Sequence, residues 1–572
     1  MQHGDGKYLC DGSIGIQGDI SNLFEGLTSE LSWAKMNADN AQLDPAAEYI
    51  IQKIASKMKH SGHEISALDN SDGIPAGYTY LLQFIFHDLT RSRIFSSAHF
   101  DGHGLGNASL ASNLNSPQLD LDTLYGGGIE VSPHLYERHK DGNAARYRFR
   151  MGKLGPAKIG LGVLPSNSRT CPYDVARIRD SVVDAAGKIP TGGGIDPVIG
   201  DLRNDTHVLL SQLLVLFMHV HNKVADALAE TGEKPENIFR MTRRFIVRSY
   251  RHIIINDVMR KLIDGQTHVR FFGRDQIVED GTSEMIRHSA EFIFAVARIG
   301  HGMVRNQYPV NSLFLTDQGI IEDGFLDTIL TFSSFNKRLS SSRPALSHKL
   351  PVPENWIVDW RLFFKIDETD PVYAQRISPL LAPRLMSARF DNFAAGDAVQ
   401  KSLPYLDMER CIRFKLPTGQ QIASKMGVHV LSPCEMRAMK IPFGGVNDKT
   451  QLDRVLDGVP EFRRETPLSY YVLQEAALLG NNGTHLGPVG SEITARTILN
   501  ALICTPETHT MGIYDTREFD TAQSERSINT MKKFIDLMSM DSRNLAELVK
   551  ASTQEQGQLP SIRLKRGQEF AE

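Results

Sequence analysis

The sequence predicts a mainly α-helical protein built as one large domain, and three observations lead there. Apolar residues recur three and four apart over long stretches, strand signals are few and short, and no linker divides the chain convincingly. The helical spacing begins near residue 27 and continues through AAEYIIQKIASKMKH at 46–60. It is strongest at 206–231, 238–263 and 283–300, and shorter helices are expected near 325–333, 418–427 and 525–552. The clearest strand candidate is ARYRFRMG at 145–152, and Gly/Pro/Asn/Ser-rich connections fill 101–128 and 186–205. The expected layout is a flexible segment at 1–20, one domain over 21–552, and a flexible tail at 553–572.

Composition narrows the class of partner. Of 572 residues, 41% are hydrophobic and 23% charged, which is ordinary globular composition. The net charge of −4 and the absence of a basic stripe argue against nucleic acid, and no polybasic tail addresses an anionic membrane. Five scattered cysteines, an odd number, read as thiols and not as a disulfide framework. The N-terminus lacks the basic-then-apolar pattern of a signal peptide, and no membrane span is expected. The expectation is a cytoplasmic protein, or one secreted without a recognisable signal.

The informative residues are polar ones lodged in apolar runs. LLQFIFHDLT, at 81–90, is an apolar run that suits a buried helix or a buried strand; if helical, Gln83 and His87, four apart, share one face while Asp88 points elsewhere. A buried imidazole satisfied by a carbonyl and one facing a ligand cavity are both compatible with this stretch. Arg203 stands just before the long apolar helix at 206–231, with Asp205 or Thr206 as candidate N-cap; a structural ion pair and a functional cation are both open there. EFIFAVARIGHGMV carries Arg298 and His301 near the end of an apolar helix. In NSPQLDLDTLYGGG, Ser116, Asp120 and Asp122 alternate with apolar residues, as oxygens converging on a hard cation do, and as a solvated acidic turn also does. His219 and His221, two apart on a helix, face different ways and are expected to be structural.

Taken in order, these segments resemble the animal-type haem peroxidases, the superfamily that includes myeloperoxidase and cyclooxygenase. Gln83-x-x-x-His87-Asp88 fits that family's Gln-x-x-x-His-Asp helix, and the stretch from Ser116 to Asp122, followed by Tyr125-Gly126, is similar to its calcium loop. GDLRNDTHVLLSQLLVLFMHVHN matches the distal-arginine segment, and Arg298-Ile-Gly-His301 the proximal one. LPYLDMERCIRFKLPTG is similar to the family's Leu-x-x-Leu-Asn-x-x-Arg block, and LGPVGSEITARTIL to its closing helix. The likeness runs from about residue 75 to 515, and the missing signal peptide brings it nearer the microbial members. It implies the large helical peroxidase fold of the myeloperoxidase/cyclooxygenase type over 21–552.

The resemblance also implies a chemistry. His301 would be the axial iron ligand and Arg298 a partner for a haem propionate. His87 would act as distal acid–base and Arg203 as stabiliser of charge developing on peroxide, on the way to a ferryl intermediate. Gln83 would position water or a small anion. Calcium would sit among Asp88, Ser116, the Gln118 carbonyl, Asp120 and Asp122. The implied partners are hydrogen peroxide and a small organic donor or halide, bromide or iodide before chloride, in a response to oxidative stress. The family's ester-forming carboxylates are replaced here by Phe86 and Thr206, and its sulfonium-forming methionine by His207, so haem b should be bound non-covalently. The residue orienting His301 is sought at 376–392, where Ser378 and Asn392 are candidates. A fatty-acid dioxygenase is the alternative enzyme, disfavoured because Arg298 stands where its tyrosine is needed. A non-catalytic haem-binding protein is the alternative of another class.

Overall fold

The computed structural model describes residues 43–60, 72–90, 92–94, 111–113, 118–137, 147–155, 171–178, 196–273, 288–331, 351–386, 402–442, 445–503 and 527–554, with a few shorter stretches at 18–35 and 157–164. Helices dominate it, as expected. The central element is Val208–Glu230, whose residues are almost all buried. It packs against the helices Gly77–Leu89, Pro235–Ile253 and Ser542–Gln554. It is also long and apolar enough to cross a membrane by length and composition, with mean hydropathy 1.3, but 89% of the window in question lies inside the fold. Its apolar surface is therefore consumed by protein neighbours.

Strands are short. Ser92–Ile94, Ala111–Asn113 and Gly18–Ser21 pair antiparallel in that order, and His288–Ser289 adds a parallel edge beside Gly18–Ser21. The candidate at 145–152 narrows to Met151–Gly152, paired antiparallel with Asp174–Val175. The backbones approach closely there. A Cβ on Gly152 would lie 2.1 Å from the Val175 carbonyl oxygen, so no larger residue fits.

Several expectations need correction. Residues 31–35 form turns, not helix. The segment at 283–300 is not one helix among its described residues: Ala290–Phe294 is α-helical, the backbone leaves the helical region at Ala295 (φ −124°, ψ −68°), and Val296–Met303 continues as 3₁₀ helix. Gly302 lies so close to Leu473 that a Cβ would be 3.0 Å from Leu473 Cδ2. The helix at 206–231 is capped neither by Asp205 nor by Thr206 but by His207, whose side chain accepts from the Leu210 amide. The stretch 238–263 loosens into a π-helix at Ile254–Met259. The helices Leu403–Arg413, Val446–Asp457 and Leu468–Leu479 were not anticipated from periodicity. The expected flexible segment at 1–20 and tail at 553–572 fall almost wholly outside the described residues.

Candidate active site

One helix carries the first half of the site. Gly77–Leu89 starts where the Gly77 amide donates to the Phe363 carbonyl and stops where Thr90, in extended backbone, returns its hydroxyl to the Phe86 carbonyl at 2.6 Å. Across residues 74–90 only Gln83 and His87 are not fully buried. Two residues one helical turn apart therefore open on a common space, and every other side chain is committed to packing.

The protonation pattern of His87 follows from its partner. His87 Nδ1 lies 2.9 Å from Asn204 Oδ1, while Asn204 Nδ2 donates to Thr123 Oγ1 at 2.5 Å. Asn204 thus presents its oxygen, so Nδ1 carries the hydrogen and Nε2 the lone pair. Burial and the nearby Arg203 bring the His87 pKa down to about 4, against Asp201 and the Asn204 hydrogen bond, with Arg298 adding to the depression. His87 is a neutral base at physiological pH. Asn204 escaped the sequence reading, although it adjoins Arg203 directly.

Arg203 meets that helix end from the side. Its Nη2 donates to the His87 carbonyl at 2.7 Å and its Nη1 to the Thr90 carbonyl at 2.5 Å. Nε and Nη2 also engage the Asp201 carboxylate, the latter at 2.6 Å. The guanidinium is thus a brace across the C-terminal turn of the His87 helix, with a third of its side-chain surface still open. The segment itself is anchored by Arg177, which bridges Asp205 and Asp174 in a buried ion-pair cluster.

His301 lies on the 3₁₀ segment, which packs against the helix that carries His87. His301 Nδ1 donates to Asp407 Oδ2 at 2.8 Å, which leaves the lone pair on Nε2, and a quarter of its side chain is accessible. Burial tends to raise the Asp407 carboxyl, but His301, Arg410 and Arg298 outweigh it and hold Asp407 below the usual range. Neither candidate at 376–392 takes this role. Ser378 Oγ turns back onto Leu380, and Asn392 lies outside the described residues. The clue was present in LPYLDMERCIRF, where Asp407 occupies the family's asparagine position.

Arg298 supplies a test of whether a haem suits these residues. Its Nε is buried without a partner, and burial and Arg410, with Arg203, pull its pKa down to about 10 despite Asp407. A buried cation crowded by other cations fits an anionic group brought in by a ligand, such as a propionate. An imidazole with an available Nε2 completes a donor set suited to haem iron. A cavity of about 10 Å³, room for one water, is lined by Arg298, His301, Asp407, Ser469 and Tyr470 among others and by none of the distal residues.

The calcium candidates are only partly brought together. Asp88 is buried and turned away from His87, as expected, with its oxygens accepting from the Leu121 and Thr123 amides and the Tyr250 hydroxyl. Burial and Asp120 push both the Asp88 and Asp122 carboxyls well up. Between the two loop aspartates, Leu121 adopts a left-handed conformation (φ 61°) that branched side chains rarely take. Ser116 lies outside the described residues, and among those described no three acidic, His or Cys side chains converge as a ready-made metal cluster. His221 is structural as expected, bonded to the Tyr125 hydroxyl and the Tyr147 carbonyl.

Residues 79–338 match the family model described as animal haem peroxidase. A peroxidasin homolog of Caenorhabditis elegans, pxn-2, is 22% identical over 38% of this chain and 16% of its own length. The chorion peroxidase of Aedes aegypti is 25% identical over 43% of this chain and 35% of its own. The chain thus spans well under half the length of these curated relatives. Among solved structures, peroxidase A of Dictyostelium discoideum shares the fold, with TM-score 0.51 and 12% identity over 95% of this chain and 98% of that one.

Proposed function

We propose, from the premise that this chain carries an animal haem peroxidase domain, that it reduces hydrogen peroxide at the expense of a small organic donor or a halide. The observation that carries the reading is the pair of histidines with assigned tautomers, His87 held by Asn204 and His301 held by Asp407. Binding alone needs only His301. A neutral, buried, lone-pair-bearing His87 is what proton transfer needs.

When bound, the haem supplies the iron and the redox equivalents for peroxide cleavage. His301 Nε2 would hold it, and Arg298 would meet a propionate. His87 Nε2 takes the proton from the entering peroxide and returns it to the departing oxygen, base first and acid second. Arg203 acts twice: its bonds to the His87 and Thr90 carbonyls fix the helix end, and its charge, partly offset by Asp201, favours developing negative charge. The Gln83 amide shares the space with His87. Bromide or iodide suits this site better than chloride, because the haem is held without esters: Phe86 and Thr206 offer no carboxylate. Calcium between Asp88, Asp120 and Asp122 would offset the burial and the mutual repulsion that raise Asp88 and Asp122.

The test is an absorption spectrum of haem-reconstituted protein before and after hydrogen peroxide, with turnover of guaiacol and bromide. A Soret band that shifts with peroxide and returns with donor is expected. A band indifferent to peroxide would reduce the protein to a haem carrier. Acidic butanone should extract the haem, and pigment remaining with the polypeptide would refute the non-covalent assignment.

A further inference from the structure

His207 sits beside the distal space with two ring nitrogens in different employment. Nδ1 accepts from the Leu210 amide at 3.3 Å and so caps the Val208–Glu230 helix. A nitrogen that accepts cannot carry the hydrogen, so Nε2 is the protonated one. Nε2 lies 3.1 Å from Gln83 Oε1 and donates to it. The ring is buried, and the Tyr80 ring packs across it at 5.2 Å between centroids and 65° between planes, which limits its rotation.

These contacts settle the orientation of the Gln83 amide. If the amide flipped, its NH₂ would face the Nε2–H and two donors would meet in a buried place, which is costly. With Oε1 taken, Nε2 of Gln83 has no acceptor among the described residues and is not sealed from the space that Gln83 and His87 open on. We propose that His207 is a positioning residue that locks the Gln83 amide so that its NH₂ faces the distal space, there to donate to a small anion or a peroxide oxygen. What enters the space rests on the peroxidase reading; the orientation of the amide does not.

Burial and the neighbouring His87 keep His207 neutral, with a pKa of about 3, which the cap contact requires because its Nδ1 must accept. The two jobs can also be separated. His207→Asn retains a capping oxygen for the first turn, but is too short to hold Gln83. Gln83→Leu removes the amide itself.

Two measurements decide the proposal. The first uses the chain without haem: ¹⁵N-histidine NMR near pH 7, with His207 assigned by its loss in His207→Asn. A neutral Nε2–H ring is expected, and a Nδ1–H or charged ring overturns the proposal. The second is the Kd for azide, read by spectral titration of the haem-loaded protein. His207→Asn should weaken azide roughly three- to tenfold, the worth of one hydrogen bond, with Tm near that of the unmodified protein. In the Gln83→Leu background the same substitution should have no further effect. An unchanged Kd in His207→Asn, or an equal loss with and without Gln83, would show that His207 does not act through the amide. Failure to take up haem would sink the peroxidase reading instead and leave the NMR result to stand.

Discussion

At the scale of single residues, the site works by assigning hydrogens. Asn204 sets the tautomer of His87, Asp407 that of His301, and the Leu210 amide that of His207. His87→Ala should therefore slow the reaction with hydrogen peroxide by about 10²–10⁴-fold in stopped-flow mixing, the usual worth of acid–base catalysis. Arg203→Ala should lose less rate but also lower Tm, because a brace goes with the charge. The pH profile has a definite sign. With its pKa lowered to about 4, His87 is an unprotonated base above that value, so the rate constant should be level from pH 5 to 8 and fall only below about 4. A limb near 6.5 would mean that the imidazole is not in this buried setting. Asp407→Asn keeps a hydrogen-bonding side chain but removes the negative charge that makes His301 a strong donor, so the ferric/ferrous potential of the haem-loaded protein should rise. This partner was hard to read in advance, because 106 residues separate it from His301 and its type differs from the family's asparagine.

At the scale of elements, legibility followed how local the signal was. The helix at Gly77–Leu89 was half legible: its apolar run suits a helix or a strand, and the likeness to the Gln-x-x-x-His-Asp helix is what favoured the helix. The segment Val296–Met303 was not, since its apolar spacing does not distinguish 3₁₀ from α-helix, and its Gly302 packs on Leu473, far away in sequence. His207 as N-cap was missed for a related reason: histidine is not among the usual capping residues, and its place was judged only by comparison with a methionine. The aspartate loop lends itself to a direct check. In calcium-free protein the folded state keeps protons on Asp88 and Asp122 that the unfolded chain has shed above about pH 4. Their contribution to stability is therefore lost as pH rises through the elevated values. The Tm gap between calcium-loaded and EGTA-treated protein should widen from pH 6 to 8, and Asp120→Ala should narrow it. A gap that is absent at every pH would dismiss calcium.

At the scale of the whole molecule, burial of histidines sets the acid limit. His60 and His87 are brought down to about 4, and His207, His221 and His252 to about 3, in every case chiefly by burial. Below about 6.5 the unfolded chain takes up protons that the native fold refuses. Stability should be unaffected by these groups above pH 6.5 and decline steadily from there toward pH 4, which thermal melts across that range will show. One peptide unit has a consequence at this scale. His87 and Asp88 are adjacent, yet one faces the distal space and the other reaches Leu121 and Thr123 in the aspartate loop, while Arg203 clamps the carbonyl between them. An ion in the loop and a molecule in the distal space would thus pull on the same few atoms, and thermodynamics makes such an arrangement reciprocal. Whatever factor calcium applies to azide affinity, azide must apply to calcium affinity. Titrating each ligand in the presence and absence of the other would give the factor twice, and a value of one from both sides would show the two faces of that helix to be insulated. Any other value would mean that the readiness of the distal space for a ligand reports the calcium level around the protein.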